Sequence, residues 1–233
     1  MEVELAITIQ ARVSSVRFPR KVLSPLGGVP MLMWTISYCR GLNIPLYVLT
    51  STDKSDDDLV NLLENYGINF YRGNLDNVVS RYLNFMTEHK IKKVVRINGD
   101  SPLINPEVIL KVIESDKQST DCDLTTNVFP RSFPKGQSVE IMPYKLFKFL
   151  SSCDLLPGNF EHVTSYFYEN SSHFKINNVK NDRDLSSFNL SVDTKKDFEN
   201  INRFIDLLSL KHSSPSLDWI DFSNAIVGSR IFQ

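Results

Sequence analysis

Disulfide pairs, membrane-length apolar runs and a strong net charge are all missing from this chain of 233 residues. Its three cysteines are Cys39, Cys122 and Cys153. They are odd in number, far apart and form no C-x-x-C pair. That argues against a disulfide framework or a zinc site and fits a reducing cytoplasm. No apolar run approaches the length needed to span a bilayer, so membrane insertion is not expected. The opening Met1-Glu2-Val3-Glu4 carries two acids, where a secretory signal would carry basic residues and a longer apolar core. Formal net charge is −1. With so little overall field, nucleic acid is not an expected partner, and only a local basic patch could attract an anion. There is also no internal repeat, low-complexity tract or clear linker.

What is present is ordinary for a soluble globular protein, at 42% hydrophobic and 23% charged residues. The length suits one α/β domain with a sizeable core. Residues 5–9, 46–50, 68–71 and 93–98 read as strands, the first two as short, mostly apolar runs. Helical patterns lie between and after them. One covers residues 31–39 behind Pro30. The next carries Leu59, Leu62, Leu63 and Tyr66, with Ser55 or Asp56 as cap and Gly67 as its stop. A third starts at Asp76, and Pro106 opens a fourth.

This alternation predicts a parallel sheet with helices on both faces. In such sheets the ligand lies beyond the carboxyl ends of the strands. Residues 10–21, 50–53, 72–77 and 98–101 are expected to share that rim. The second half is less regular. Strands are predicted at 123–127, 138–142, 175–179 and 189–192, with a helix at 160–168. Thr194 is expected to cap a long helix through Phe198, Ile201, Phe204, Ile205 and Leu208. The expected organisation is a single domain over 1–233. Its tail, 211–233, would pack on the domain or on a partner subunit.

Three segments carry candidate chemistry. Residues 10–21 follow the first strand and hold Arg12, Arg17, Arg20 and Lys21. Backbone amides and guanidinium forks in such a loop can wrap a triphosphate, although a solvated basic loop would look the same. The Gly-x-x-x-x-Gly-Lys pattern of a Walker loop is absent. Asp100 ends a strand beside Gly99, where a carboxylate can hold Mg²⁺ or merely cap a turn. Asp193 stands in a similar position before a helix, where it could serve as an N-cap, a role Thr194 could also fill. Together the two aspartates and the basic loop point to a metal–triphosphate site.

These same residues carry a resemblance. The strings Ile9-Gln10-Ala11-Arg12, Phe18-Pro19-Arg20-Lys21-Val22-Leu23 and Leu26-Gly27-Gly28-Val29-Pro30 resemble the opening of the cytidylyltransferases. The closest branch is the spore-coat polysaccharide type, related to acylneuraminate and 3-deoxy-manno-octulosonate cytidylyltransferases. The similarity continues through Tyr71-Arg72-Gly73-Asn74, Arg81-Tyr82, Arg96-Ile97-Asn98-Gly99-Asp100-Ser101-Pro102, Val139-Glu140, Glu161-His162 and Ser191-Val192-Asp193-Thr194.

The resemblance implies a three-layer α/β/α nucleotidyltransferase fold, glycosyltransferase-A-like and Rossmann-like, with a mostly parallel central sheet. It implies transfer of CMP from CTP to the hydroxyl of a nonulosonic or octulosonic sugar acid, with Mg²⁺ as cofactor and pyrophosphate as leaving group. The product would serve surface polysaccharide biosynthesis, made by a cytoplasmic homodimer. By the same resemblance Arg12 and Lys21 are triphosphate ligands, with Arg17 assisting. Gln10 and Ala11 form the base platform, and Asn98 lies near base and ribose. Asp100 and Asp193 hold Mg²⁺. Lys135, Gln137, Glu140, Glu161 and His162 face the acceptor. Arg12, Lys21 and Asp100 are the expected catalytic residues, and His162 is a candidate base by residue type.

The chain departs from the family at Arg20, where relatives often have glycine, at Ser101, and at Ser138, where aspartate is frequent. Competing readings are transfer to a sugar-1-phosphate, a glycosyltransferase, or an inactive nucleotide-binding subunit. The Asp-x-Asp spacing that a glycosyltransferase would use occurs at Asp121-Cys122-Asp123, but it precedes a strand instead of following one.

Overall fold

The computed structural model describes residues 2–153, 163–212 and 217–232. The first strand, β1 (Val3–Gln10), lies between two parallel neighbours, β4 (Leu46–Ser51) and β6 (Ile91–Asn98). A short hairpin, β2 (Pro25–Leu26) and β3 (Val29–Pro30), precedes helix α1 (Met31–Arg40). Helix α2 (Asp57–Asn65) leads to β5 (Phe70–Gly73), α3 (Val78–Glu88) to β6, and α4 (Pro106–Gln118) to β7 (Leu124–Thr126). Next come β8 (Glu140–Pro143), α5 (Tyr144–Ser152), α6 (Ser165–Glu169), β9 (Ile176–Asn178), α7 (Lys195–Leu207) and α8 (Trp219–Gly228).

Seven strands form one sheet in the order β5-β4-β1-β6-β8-β7-β9. Only β8 runs against its neighbours, pairing antiparallel with β6 and β7. The sheet is therefore mostly parallel, as expected. The period-two alternation of a strand explains its two apolar faces. Ile7, Ile9, Val95 and Ile97 pack against α1, α2, α4 and α7. Ala6, Leu49 and Val94 face the other way, against α3, α5 and Phe167. Three layers follow, helices on each side of the sheet.

Several sequence expectations shift. The third strand begins at Phe70, two residues after Ile68. Asn77, and not Asp76, caps α3, accepting from the Ser80 amide. Asp56 precedes α2 but makes no cap bond, because its buried carboxylate is engaged elsewhere. Within the described part of residues 160–168, the helix is only Ser165–Glu169. Residues 189–192 form no strand and make one isolated bridge, Asn189 to Lys135.

Thr194 does cap α7, in a reciprocal capping box with Asp197. The weakly periodic tail contains α8, whose Phe222 and Ile226 are buried in the larger core cluster. The Phe222 ring meets Phe204 of α7 edge-on at 5.8 Å.

Candidate functional site: a cation loop facing two carboxylates

The segment after β1 is moored before it can bind anything. The fully buried Asp56 carboxylate accepts from the Val13 amide at 2.7 Å and the Thr50 hydroxyl at 2.9 Å. It also accepts from the Ser51 amide and hydroxyl. Such a carboxylate satisfies its lone pairs by tying the loop to the end of β4. Residues 50–53 thus support the rim instead of lining it.

Farther along, Arg20 sits in the left-handed region with φ 62°. A residue with a Cβ is disfavoured there by about 1–2 kcal/mol, which explains why glycine suits this position. Lys21 then turns inward at the start of a short 3₁₀ turn and is buried. On the neighbouring strand end, the Gly99 amide donates to Gln10 O at 2.9 Å. A Cβ on Gly99 would lie 2.9 Å from Ala11 Cβ, so only glycine lets β6 close against the loop.

Three distant parts of the chain meet at Lys21. Its ammonium donates to Asp100 Oδ2 at 3.4 Å, Asp193 Oδ1 at 3.3 Å and Val192 O at 2.6 Å. Arg17 pairs with Asp193 at 3.0 Å. A backbone bond from Val192 N to Asp100 O, 2.9 Å, holds the two acidic segments side by side. Neither aspartate caps a helix, since Asn105 caps α4 and Thr194 caps α7. Burial pushes the Asp100 carboxyl above its ordinary value; Lys21 opposes this and the Asp193 carboxylate reinforces it.

Two carboxylates facing one cation match what Mg²⁺ uses, with phosphate oxygens and water completing its shell. Among the described residues there is no cluster of three or more His, Cys, Asp or Glu side chains for a metal held by protein alone.

These groups open onto a cavity of about 580 Å³. Gln10, Ala11, Arg12, Arg17, Lys21, Asn98, Asp100, Glu140 and Asp193 all line it. No residue of 50–53 or 72–77 does. Arg72 instead donates to Ser51 O at 2.7 Å and pairs with Asp57.

A cytidylyltransferase family model matches residues 6–213. The chain belongs to this family. It is therefore a nucleotidyltransferase with CTP as its nucleotide substrate. It is 26% identical over 208 residues to the spore coat polysaccharide biosynthesis protein SpsF of Bacillus subtilis, covering 85% of each chain. A 3-deoxy-manno-octulosonate cytidylyltransferase of Nitratiruptor sp. is 30% identical over 125 residues, which is 51% of this chain and 50% of that one. A solved cytidylyltransferase from Leptospira borgpetersenii superposes with a TM-score of 0.90 at 28% identity, covering 100% of this chain and 98% of the other.

In this cytidylyltransferase the acceptor-side expectations need revision. Gln137 is fully buried. Its amide accepts from Asn105 N at 2.9 Å and donates to Leu103 O at 2.7 Å, so it braces backbone and does not face a sugar. Lys135 is exposed outside the cavity lining, and its backbone pairs with Phe188 and Leu190. The placement follows from Gly136 between them, whose φ of 87° reverses the chain. Glu161 and His162 lie outside the described residues.

Glu140 lines the cavity, yet its carboxylate is already engaged. Arg96 Nη1 meets Glu140 Oε2 at 2.5 Å, Tyr168 OH donates to Oε1 at 2.6 Å, and Arg96 Nη2 donates to Gln10 Oε1 at 3.0 Å. Burial, reinforced by Glu140, pushes the Tyr168 phenol well above its ordinary value.

Sequence reasoning missed Tyr168 and Arg131 on this wall. Phe129 stacks on Tyr168 at 4.9 Å, and Phe133 is core. Asp121 and Asp123 form ion pairs with Lys175 and Lys145 at the start of β7, opposite the rim. No helix among the described residues is long and apolar enough to cross a membrane.

Proposed function

We propose that this cytidylyltransferase moves CMP from Mg²⁺-bound CTP onto the hydroxyl of a sugar acid of the nonulosonic or octulosonic type, releasing pyrophosphate. The observation that carries this reading is the meeting of Lys21 with both Asp100 and Asp193 beside Arg17, on the cavity that Arg12 also lines. The octulosonate-specific relative supports the sugar-acid class, and the spore coat relative supports a role in surface polysaccharide synthesis. Action as a cytoplasmic homodimer belongs to the same proposal.

The triphosphate would lie along the loop after β1, with Arg12, Arg17 and Lys21 meeting its oxygens. Asp100 and Asp193 would hold the Mg²⁺. When bound, the ion supplies neutralisation of phosphate charge and polarisation of the reacting phosphoryl group. The sugar hydroxyl oxygen attacks the α-phosphorus. The bond from that phosphorus to the bridging oxygen of the β-phosphate breaks, pyrophosphate leaves, and the hydroxyl proton passes to solvent or to a nearby base.

The residues contribute mostly position and preset charge. Arg12 and Lys21 lie where negative charge grows, and the rigid strand ends hold the reactants in line. The Arg96–Glu140 pair fixes Gln10 Oε1, which turns the Gln10 NH₂ group away from Arg96.

The test is a screen of nucleotides against acceptors in the presence of Mg²⁺, reading pyrophosphate. CTP with a sugar acid should give the highest turnover. Preference for a sugar-1-phosphate, or for another nucleotide, would replace this reading.

A further inference from the structure

Among the described residues, the cavity wall opposite the cation loop carries three charged side chains, Arg96, Arg131 and Glu140. Arg96 and Glu140 are both buried and neutralise each other through their ion pair. Arg131 is different. Its Nη2 donates to Ser138 Oγ at 3.1 Å and its Nη1 to Pro134 O at 3.4 Å, both neutral oxygens. Among the described residues no carboxylate forms an ion pair with it. Burial pulls its pKa down, opposed by Glu140 and then Tyr168, so this half-buried guanidinium has given up part of its water without gaining a full counter-charge.

Among the described residues the wall therefore presents one net positive charge. Around it, the lining side chains Ser138, Thr164, Ser165 and Tyr168 all carry hydroxyls, a composition suited to a polyhydroxylated ligand.

We propose that Arg131 recognises the carboxylate of the acceptor sugar acid and is the residue that selects an acid over a neutral or phosphorylated sugar. This rests on the transfer reading above. A planar guanidinium fork pairs bidentately with a carboxylate. A monoanion balances the single net charge of this wall. A phosphate monoester, with a charge of about −2 at neutral pH, would leave an excess beside Glu140. Ser138 is part of the device, because its hydroxyl steadies the guanidinium without cancelling it.

The experiment compares wild type, Arg131→Gln, Arg131→Lys and Ser138→Asp. The acceptor probes are 3-deoxy-manno-octulosonate, or whichever sugar acid the screen ranks first, and its C1 carboxamide. CTP binding is measured by calorimetry without acceptor.

Arg131→Gln should lower kcat/KM for the acid by about tenfold or more while barely changing that for the amide. Arg131→Lys, with charge but no fork, should fall between. Ser138→Asp keeps the arginine but gives it an internal carboxylate, and should also penalise the acid selectively. CTP affinity should hold in all three.

Equal losses for acid and amide in Arg131→Gln would mean a merely structural role and would overturn the inference, leaving the sugar-acid reading intact. Wild-type indifference to acid or amide would do the same. A wild type that uses phosphorylated acceptors and no sugar acid would remove both. Should Arg131→Gln misfold, seen as lost CTP binding, the acid-to-amide ratios of the other two variants decide.

Discussion

Lys21 occupies the place where the charges of the site must balance. In the free protein its ammonium and the Arg17 guanidinium together offset Asp100 and Asp193. Arrival of Mg²⁺ alone would add two positive charges to a region already neutral, whereas Mg²⁺ with a triphosphate brings its own counter-charge. The cations can then turn from the carboxylates to the phosphates.

Arg12→Ala should raise the KM for CTP about tenfold or more, and a steady-state titration checks it; unchanged KM and kcat would remove Arg12 from the triphosphate site. Asp100→Asn should cut turnover strongly yet raise the melting temperature of the ligand-free protein. The sign follows from the raised Asp100 pKa. Folding favours the protonated form, so the charged form costs stability above the folded pKa, and that cost disappears as pH falls through it. Thermal melts across pH should show the wild type gaining on the variant as pH drops. A less stable Asp100→Asn at neutral pH would contradict the assignment of burial as the dominant cause.

At the scale of elements, the site depends on segments that local periodicity does not mark. The alternation of β1, α1, β4, α2, α3, β6 and α4 was legible because each of these elements buries an apolar face, whereas β5 is only half-buried. β7, β8 and β9 have only three or four residues each. Their pairing is set by partners far along the chain, which a sequence window does not contain. Lys21 and Asp193 meet across 172 positions of sequence, so the chemistry of their residue types and the family resemblance could bring them together beforehand, and local periodicity could not.

Gln137 shows the opposite error. The family resemblance implied substrate contact for Gln137, but its side chain is buried in the core, where it meets the backbone of Leu103 and Asn105. Arg131 carried one usable signal, a lone cation between Phe129 and Phe133.

Gly136 sets a turn that lies against Leu190 and Ser191. Its φ is 87°, and a Cβ there would sit 2.6 Å from the Leu190 carbonyl carbon. Gly136→Ala should destabilise the protein by about 1–3 kcal/mol and push away residues 190–193, which carry Asp193. Urea unfolding should show the lost stability, and the Mg²⁺ concentration for half-maximal activity should rise. A variant with lower stability but normal Mg²⁺ dependence would separate this turn from the site.

Across the whole molecule, the sheet places its functional groups at one end by topology. β1 and β6 deliver Gln10 and Asn98 at their carboxyl ends, and the reversed β8 delivers Glu140 at its start, opposite Arg96. That reversal gives the cavity two walls of different character. One gathers the cations and acids suited to a metal triphosphate; the other carries a buried ion pair, hydroxyls and Arg131.

The proposed site stands or falls with Asp100 and Asp193 as the ligands of the divalent ion on bound CTP. The most direct test is Mn²⁺ binding followed by electron paramagnetic resonance, with and without CTP, in wild type, Asp100→Asn and Asp193→Asn. Wild type should bind Mn²⁺ tightly only when CTP is present, and both variants should lose that protein-dependent binding. Retention of wild-type Mn²⁺–CTP binding by both variants would contradict the proposed site.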